Sequence, residues 1–249
     1  ICGADESYSE RFSGRDERRV VTFLLEDNHG SVLSSAAAAR ENARTIREIM
    51  PTESWTVVNA LYQYVKRHHA QAIDRNYRNK FMQEVMGRCH QLAGLLASNM
   101  SEDLAYKFLS IGRNLERADM TTRILDVGCF NLIDESGRVS GQHDNILWMS
   151  VLRSLSAYQA YRQEVRDRVT GELVANFLLK DLRFPRSVVH CLQEVQNAIL
   201  KMPRNDPPLD CISQQLQMLT DTHVLATMET NSLSSYIDEL QAELSSMHN

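Results

Sequence analysis

The stretch GRNLERADMTTRILDV, Gly112 to Val127, sets a carboxylate beside a guanidinium, Glu116 next to Arg117, with a second guanidinium, Arg113, one helical turn earlier. A second concentration of the same chemistry, ARENARTIRE at Ala39 to Glu48, carries Arg40, Arg44 and Arg47 at i, i+4 and i+7, with Glu41 among them. Arg186, in FPRS at Phe184 to Ser187, is a further contact candidate at an expected Pro-initiated helix start. Arginines in such sets hold carboxylates and phosphates in two-bond forks. Two uses follow: the groups satisfy one another and fix helix register, or the surplus guanidiniums take a carboxylate or phosphate from a ligand or partner. Both motifs hold more Arg than Glu, so a surplus exists. The whole chain has 22 Arg against 5 Lys, a bias that GC-rich codon usage also produces.

Other chemistries lack their required spacing. A helical di-metal site needs paired ExxH motifs with further carboxylates, and the sequence offers one, Glu26 to His29. His68-His69 and Cys89-His90 are neighbours, about 100° apart on a helix rather than stacked at i, i+4, and read as surface or rim. No GxxxxGK[ST], GxGxxG or GxSxG occurs. The five cysteines, Cys2, Cys89, Cys129, Cys191 and Cys211, stand singly and read as small core residues. No metal and no cofactor is expected. A formal charge of −5 is the wrong balance for nucleic acid. No apolar run approaches the roughly 18 residues of a membrane span, so a cytoplasmic protein without membrane partners is expected.

These groups need a scaffold, and the composition indicates an all-α one. Among 249 residues, 43% hydrophobic and 24% charged, only 10 Gly and 5 Pro punctuate the chain. Apolar periodicity places helices at 15–27, 31–49, 53–70, 75–98, 102–128, 144–166, 171–181, 186–202, 209–219 and 221–246. Pro51-Thr52, Ser101, Asp144 and Thr170 offer helix starts. The loop Phe130 to Asn145 is the expected boundary between a first half, 1–130, that includes the Glu-Arg helix, and a second half, 144–249, the two packing as one globular unit. Met202 to Asp210 is a second break. Trp55 and Trp148 are expected to plug gaps between helices, and Asp27 and Asp181 to end or cap helices. The C-terminal helix should pack on the bundle through Val224, Leu225, Met228, Leu233, Ile237, Leu240 and Leu244.

On the Glu-Arg helix, Phe108, Ile111, Leu115, Ala118, Thr122 and Leu125 share one stripe. Leu109, Met120, Ile124 and Val127 interleave with Arg113, Glu116 and Arg117 on the other side, which implies burial on both sides. Ala36, Ala39, Ala43 and Met50 form an apolar stripe beside Arg40, Arg44 and Arg47. The expectation is a buried Arg/Glu network joining these two helices, with Glu116 as a main acceptor, because buried charges need partners.

The halves repeat: FLLED at Phe23 to Asp27 matches FLLKD at Phe177 to Asp181, and Asn42-Ala43 then falls near Asn197-Ala198. In this register Ile1 falls on Leu155, inside an expected helix. The first half should therefore lack an upstream Glu-Arg helix, leaving an apolar groove open to self-association.

The duplicated helical unit, ARENARTIRE, GRNLERADMTTRILDV, WMSVLRSLSAYQAYR and FLLKDLRFPRSV, taken together, resemble the bacterial alpha-E family, an all-helical domain named for its Glu-Arg motif. The resemblance spans nearly the whole chain. It implies partnership with a circularly permuted ATP-grasp protein, and with a transglutaminase-like protease and an NTN-hydrolase of the same system, in peptide or amide-bond synthesis or modification. The expectation is thus an accessory or co-catalytic helical partner. The alternatives are a stand-alone enzyme binding a carboxylate or phosphate at the Arg/Glu centre, and a structural adaptor whose network only holds the fold.

Overall fold

The computed structural model describes residues 4–26, 28–130, 144–203, 206–221 and 233–247. Among them every regular element is helical, as the scarcity of Gly and Pro requires. The chain divides into two compact units, residues 2–102 and residues 103–249. The division falls ahead of the Glu-Arg helix rather than at the loop that follows it. That helix belongs with the second unit because its buried residues Leu115, Ala118 and Leu125 share a core with Leu152, Leu178, Val188 and Leu192.

In residues 2–102 the order is α1 (Asp5–Arg11), α2 (Glu17–Glu26), α3 (Val32–Thr45), α4 (Thr52–His68), a 3-10 turn (Gln71–Ile73) and α5 (Arg75–Asn99). The short α1 carries no apolar periodicity, which is why sequence reading passed over it. Tyr8 holds it down: the ring meets Phe12 and Phe23, and the hydroxyl donates to Gly14 O at 2.8 Å. Gly14 has φ 97°, a left-handed conformation that glycine adopts without strain. Leu25, Ala36, Leu61, Val65, Ala72 and Phe81 form the core of this unit. Ser31 caps α3 by accepting from Ser34 N. Ala36 and Ala43 let α4 lie close on α3, whereas Ala39, placed by periodicity on the same stripe, is exposed. Asp27 lies outside the described residues.

Residues 103–249 hold α6 (Leu104–Phe130), α7 (Asp144–Ser154), α8 (Tyr158–Glu164), α9 (Gly171–Lys180), α10 (Val188–Leu200), α11 (Asp206–Asp221) and α12 (Leu233–Met247). Asp103, not Ser101, starts α6 by accepting from Tyr106 N. Helices α10 and α12 both pack along α6, so the C-terminal helix joins the bundle as expected, with Ile237 and Leu240 buried. Its expected apolar positions Val224, Leu225 and Met228 lie outside the described residues. Phe108, expected on the core stripe, is 63% exposed. The 27-residue α6 is about 40 Å long and the 13-residue α10 about 20 Å, so α10 covers only part of it.

The helix expected over 144–166 is broken. Ser156 has φ 55°, Ser156 N donates to Arg153 O and Ala157 N to Leu152 O, the paired bonds of a Schellman ending. Glycine normally signals that ending, and here serine fills it. The start of α10 also differs: Pro185 lies in the preceding turn and Ser187 is the N-cap, accepting from His190 N. Thr170 caps α9 as expected, and Asp181 accepts from Arg183 N and Phe184 N in the turn after it.

Trp148 fills the gap expected of it. It is 1% exposed and lies so close to two glycines that a methyl added at Gly171 would stand 2.6 Å from its Nε1, and one at Gly128 3.2 Å from its Cζ3. Cys191 is buried, Cys129 and Cys211 are half-buried, and Cys89 is exposed, so the core reading of the thiols holds for Cys191 and fails for Cys89. Cys2 lies outside the described residues.

Candidate functional site

The buried stripe of α6 is part apolar and part polar. Its polar members are satisfied locally: Asn114 Nδ2 donates to Ser110 O, and Thr122 Oγ1 to Asp119 O. Thr121 reaches farther, donating from Oγ1 to the backbone carbonyl of Arg186 at 2.8 Å. That bond ties the turn before α10 to α6. The same turn is locked internally, with Ser187 Oγ donating to Asp181 O, Cys191 Sγ to Pro185 O at 3.6 Å, and His190 Nδ1 2.9 Å from Leu182 O.

Arg113, Arg117 and Thr121 follow at i, i+4 and i+8, one ridge of α6. The backbone of Arg186 is thus fixed at Thr121, one turn from Arg117, and the charge of its guanidinium is felt at Arg117 together with that of Arg113. The Arg117 pKa is held below the usual arginine value, first by burial, then by the positive charges of Arg113 and Arg186, with the Cys191 thiol opposing. Among the described residues none of the three has an ion-pair partner, and the Nε of Arg113 is buried without a hydrogen-bond partner. The Cys191 thiol is pushed up to about 11 by burial, with Arg117 and Arg186 opposing the rise and the Glu194 carboxylate of α10 adding to it. It is protonated at neutral pH and is not an ionised nucleophile.

Glu116 is not the buried acceptor that the sequence suggested. It is exposed, and it makes no ion pair among the described residues. At 100° per residue it stands about 160° round the helix from the centre of the buried stripe, while Arg117 flanks that stripe next to Thr121. The apolar residues sharing its side are only partly covered: Met120 is 36% and Leu109 37% exposed. Glu116→Gln is accordingly expected to change stability by no more than about 0.5 kcal/mol, as at an ordinary surface position. Removing one partner of a buried pair would cost about 3 to 5 kcal/mol. Denaturant unfolding of the variant separates the two, and a loss above about 2 kcal/mol would restore the buried network.

Arg40, Glu41, Arg44 and Arg47 find their partners within residues 2–102. Arg44 pairs with Glu41 on the exposed side of α3. Arg40 donates from Nε to Asn59 Oδ1 at 2.8 Å and lies over the rings of Trp55 and Tyr62, at 5.5 and 5.3 Å. Arg47 also lies over the Trp55 ring, at 4.7 Å. The gap filled at Trp55 is thus one between guanidiniums. Glu26, half of the single ExxH, pairs instead with His69, Nε2 to Oε2 at 2.8 Å. Among the described residues no group of three or more His, Cys, Asp or Glu is placed to hold a metal ion. No helix there is long and apolar enough to cross a membrane.

The sequence pattern sets Arg113 and Arg117 on one helix and Arg186 apart, and does not show what joins them. Thr121 and Cys191 had no signal of their own. Two other Glu-Arg pairs exist, Glu10-Arg11 and Glu17-Arg18, but Glu17 is taken up by Arg78 at 2.7 Å.

No curated protein and no solved structure matches the chain. One family description does match, over residues 1–249: Alpha-E, a predicted alpha-helical domain with a conserved ER motif. With Glu116-Arg117 at the middle of its longest helix and helices throughout the described residues, the chain belongs to the Alpha-E family.

Proposed function

We propose that the chain serves as an accessory helical partner of an ATP-grasp-type ligase in a peptide- or amide-forming system, and that its arginine centre holds an acidic group, a carboxylate or a phosphate, belonging to the substrate or product. The observation that carries the binding half is the gathering of Arg113, Arg117 and Arg186 with no carboxylate paired to them among the described residues. Burying part of a guanidinium next to two others raises the energy of the empty site, and an arriving anion removes that cost. The protonated thiol of Cys191 beside it supports a holding role over a covalent one. The ATP-grasp partnership rests on the family resemblance, as does the wider company of a transglutaminase-like protease and an NTN-hydrolase.

The test is reconstitution. The full chain, the circularly permuted ATP-grasp protein and their mixture are each given ATP with amino acids or short peptides. ADP release is followed together with the mass of any condensed product. The expected result is product formation at least about tenfold faster in the mixture than with either protein alone, equal to about 1.4 kcal/mol of barrier. Product from this chain alone would make it an enzyme in its own right. A ligase indifferent to the chain would leave the adaptor reading.

A further inference from the structure

Within that reading, which this inference deepens, the chemistry of the site separates two kinds of acid. We infer that the Arg113, Arg117 and Arg186 centre is a site for a phosphate-class dianion, a phosphate monoester or phosphate itself, rather than for a carboxylate.

The first argument is geometric. A carboxylate is planar with two oxygens, and one bidentate guanidinium uses one lone pair on each, leaving further donors only the remaining in-plane sites. Here three guanidiniums come from two elements: Arg113 and Arg117 from successive turns of α6, and Arg186 from the turn held to Thr121 by the 2.8 Å bond. Three guanidiniums carried by two separate elements suit a tetrahedral group with three terminal oxygens.

The second argument is charge. Arg19, Arg44, Arg78, Arg88, Arg123 and Arg183 each have a carboxylate within ion-pair distance. On α6 itself Arg123 is matched by Asp119 at 2.7 Å, one turn beyond the centre. Arginines without a carboxylate lie elsewhere on other groups, Arg40 on Asn59, Trp55 and Tyr62, Arg47 on Trp55, and Arg153 and Arg162 on Tyr158, whereas Arg113, Arg117 and Arg186 act on one another with no carboxylate paired to them among the described residues. A carboxylate ligand would cancel one of the three charges and a dianion two, and Glu194, whose charge reaches the Cys191 thiol, is not paired to any of the three. The 13-residue α10, whose N-cap Ser187 follows Arg186 directly, adds the positive end of a helix dipole that further favours the higher charge. The buried Nε of Arg113 is a donor that no group among the described residues uses.

The experiment uses the full chain in a buffer free of multivalent anions, with ionic strength held constant by chloride. Thermal unfolding and calorimetric titration are recorded with inorganic phosphate, phenyl phosphate and acetate. Expected are phosphate and phenyl phosphate binding at least about tenfold tighter than acetate, and tighter at about pH 8 than at about pH 6, because the second phosphate proton is lost between them. Acetate is fully ionised over that window and should show no such gain. Arg186→Gln should weaken phosphate binding by at least about tenfold, since a charge-assisted hydrogen bond is lost. Its fold should stand, because Thr121 holds the backbone carbonyl and not the side chain. Acetate binding as tightly as phosphate, or Arg186→Gln retaining the phosphate response, would overturn this inference and leave the acidic-group reading intact. Response to none of the three anions would overturn both.

Discussion

Replacing Trp148 with Ala is expected to destabilise residues 103–249 by about 3 to 5 kcal/mol, the largest single-residue effect in the chain. The side chain is the largest that is fully buried, in a core shared with Leu125, Leu152, Leu155, Tyr161 and Leu178. Neighbouring groups cannot collapse into the space easily. Gly128 and Gly171 bear no side chain to move inward, and the positions where their Cβ atoms would stand are already within 3.2 and 2.6 Å of the indole. The cavity therefore stays open, and cavity volume adds to the lost transfer energy. Domain stabilities are about 5 to 15 kcal/mol in total, so such a loss brings this unit near its unfolding threshold. Urea unfolding followed by circular dichroism should show the midpoint falling with little change in slope. Trp55, half-buried between Arg40 and Arg47, is the control, and its replacement by Ala should cost clearly less. A loss under about 1.5 kcal/mol at Trp148 would mean that the pocket can close.

The second large effect concerns Arg117. Arg117→Met keeps an unbranched stem of similar reach and removes the charge. One of three guanidiniums then disappears from the centre, and phosphate affinity should fall about 10- to 100-fold, the range of a charge-assisted hydrogen bond. Acetate binding should fall less, because Arg113 and Arg186 still offer a fork to a two-oxygen acid. The sign of the electrostatic effect on the empty protein is the reverse. The Arg117 pKa is depressed in the folded state, so its charged form is disfavoured by folding, and that cost is fully present below the depressed value. Removing the charge lifts that cost.

How far these effects could be foreseen differs from residue to residue. The Glu-Arg helix was legible because Leu115, Ala118, Thr122 and Leu125 recur with the period of a helix that has one covered face, and all four are buried. Glu116 was misread because Leu109, Met120 and Val127 share its side. Scattered apolar residues there looked like a second interface, although surfaces ordinarily carry such residues. The break at Ser156 was hidden because a serine, not a glycine, takes the left-handed position. The partners of Arg40 and Arg47 were within reach of the pattern: they are seven apart, as are Trp55 and Tyr62 on α4, and matching those spacings pairs guanidiniums with rings. Arg186 could not be placed from local pattern. Its link to α6 runs from the Thr121 hydroxyl to a backbone carbonyl, and every residue has such a carbonyl. The match between FLL[EK]D segments has a local counterpart in each unit. Phe23 and Leu25 are buried on α2 and Phe177 and Leu179 on α9, and the following helices are capped by buried Ser31 and Ser187. The middle residue differs, with Leu24 42% exposed and Leu178 buried, so the likeness of the two segments is local.

The central claim is that the arginine centre is assembled for an anion at the expense of the empty protein. The most direct measurement is thermal unfolding of the wild-type chain and Arg117→Met, first without multivalent anions and then with saturating phosphate. The account predicts a crossing: the variant is at least as stable as wild type without anion and less stable with phosphate present, because only the wild type gains fully from binding. A variant less stable by the same margin in both conditions would contradict it, and would make Arg117 a structural residue that binds nothing.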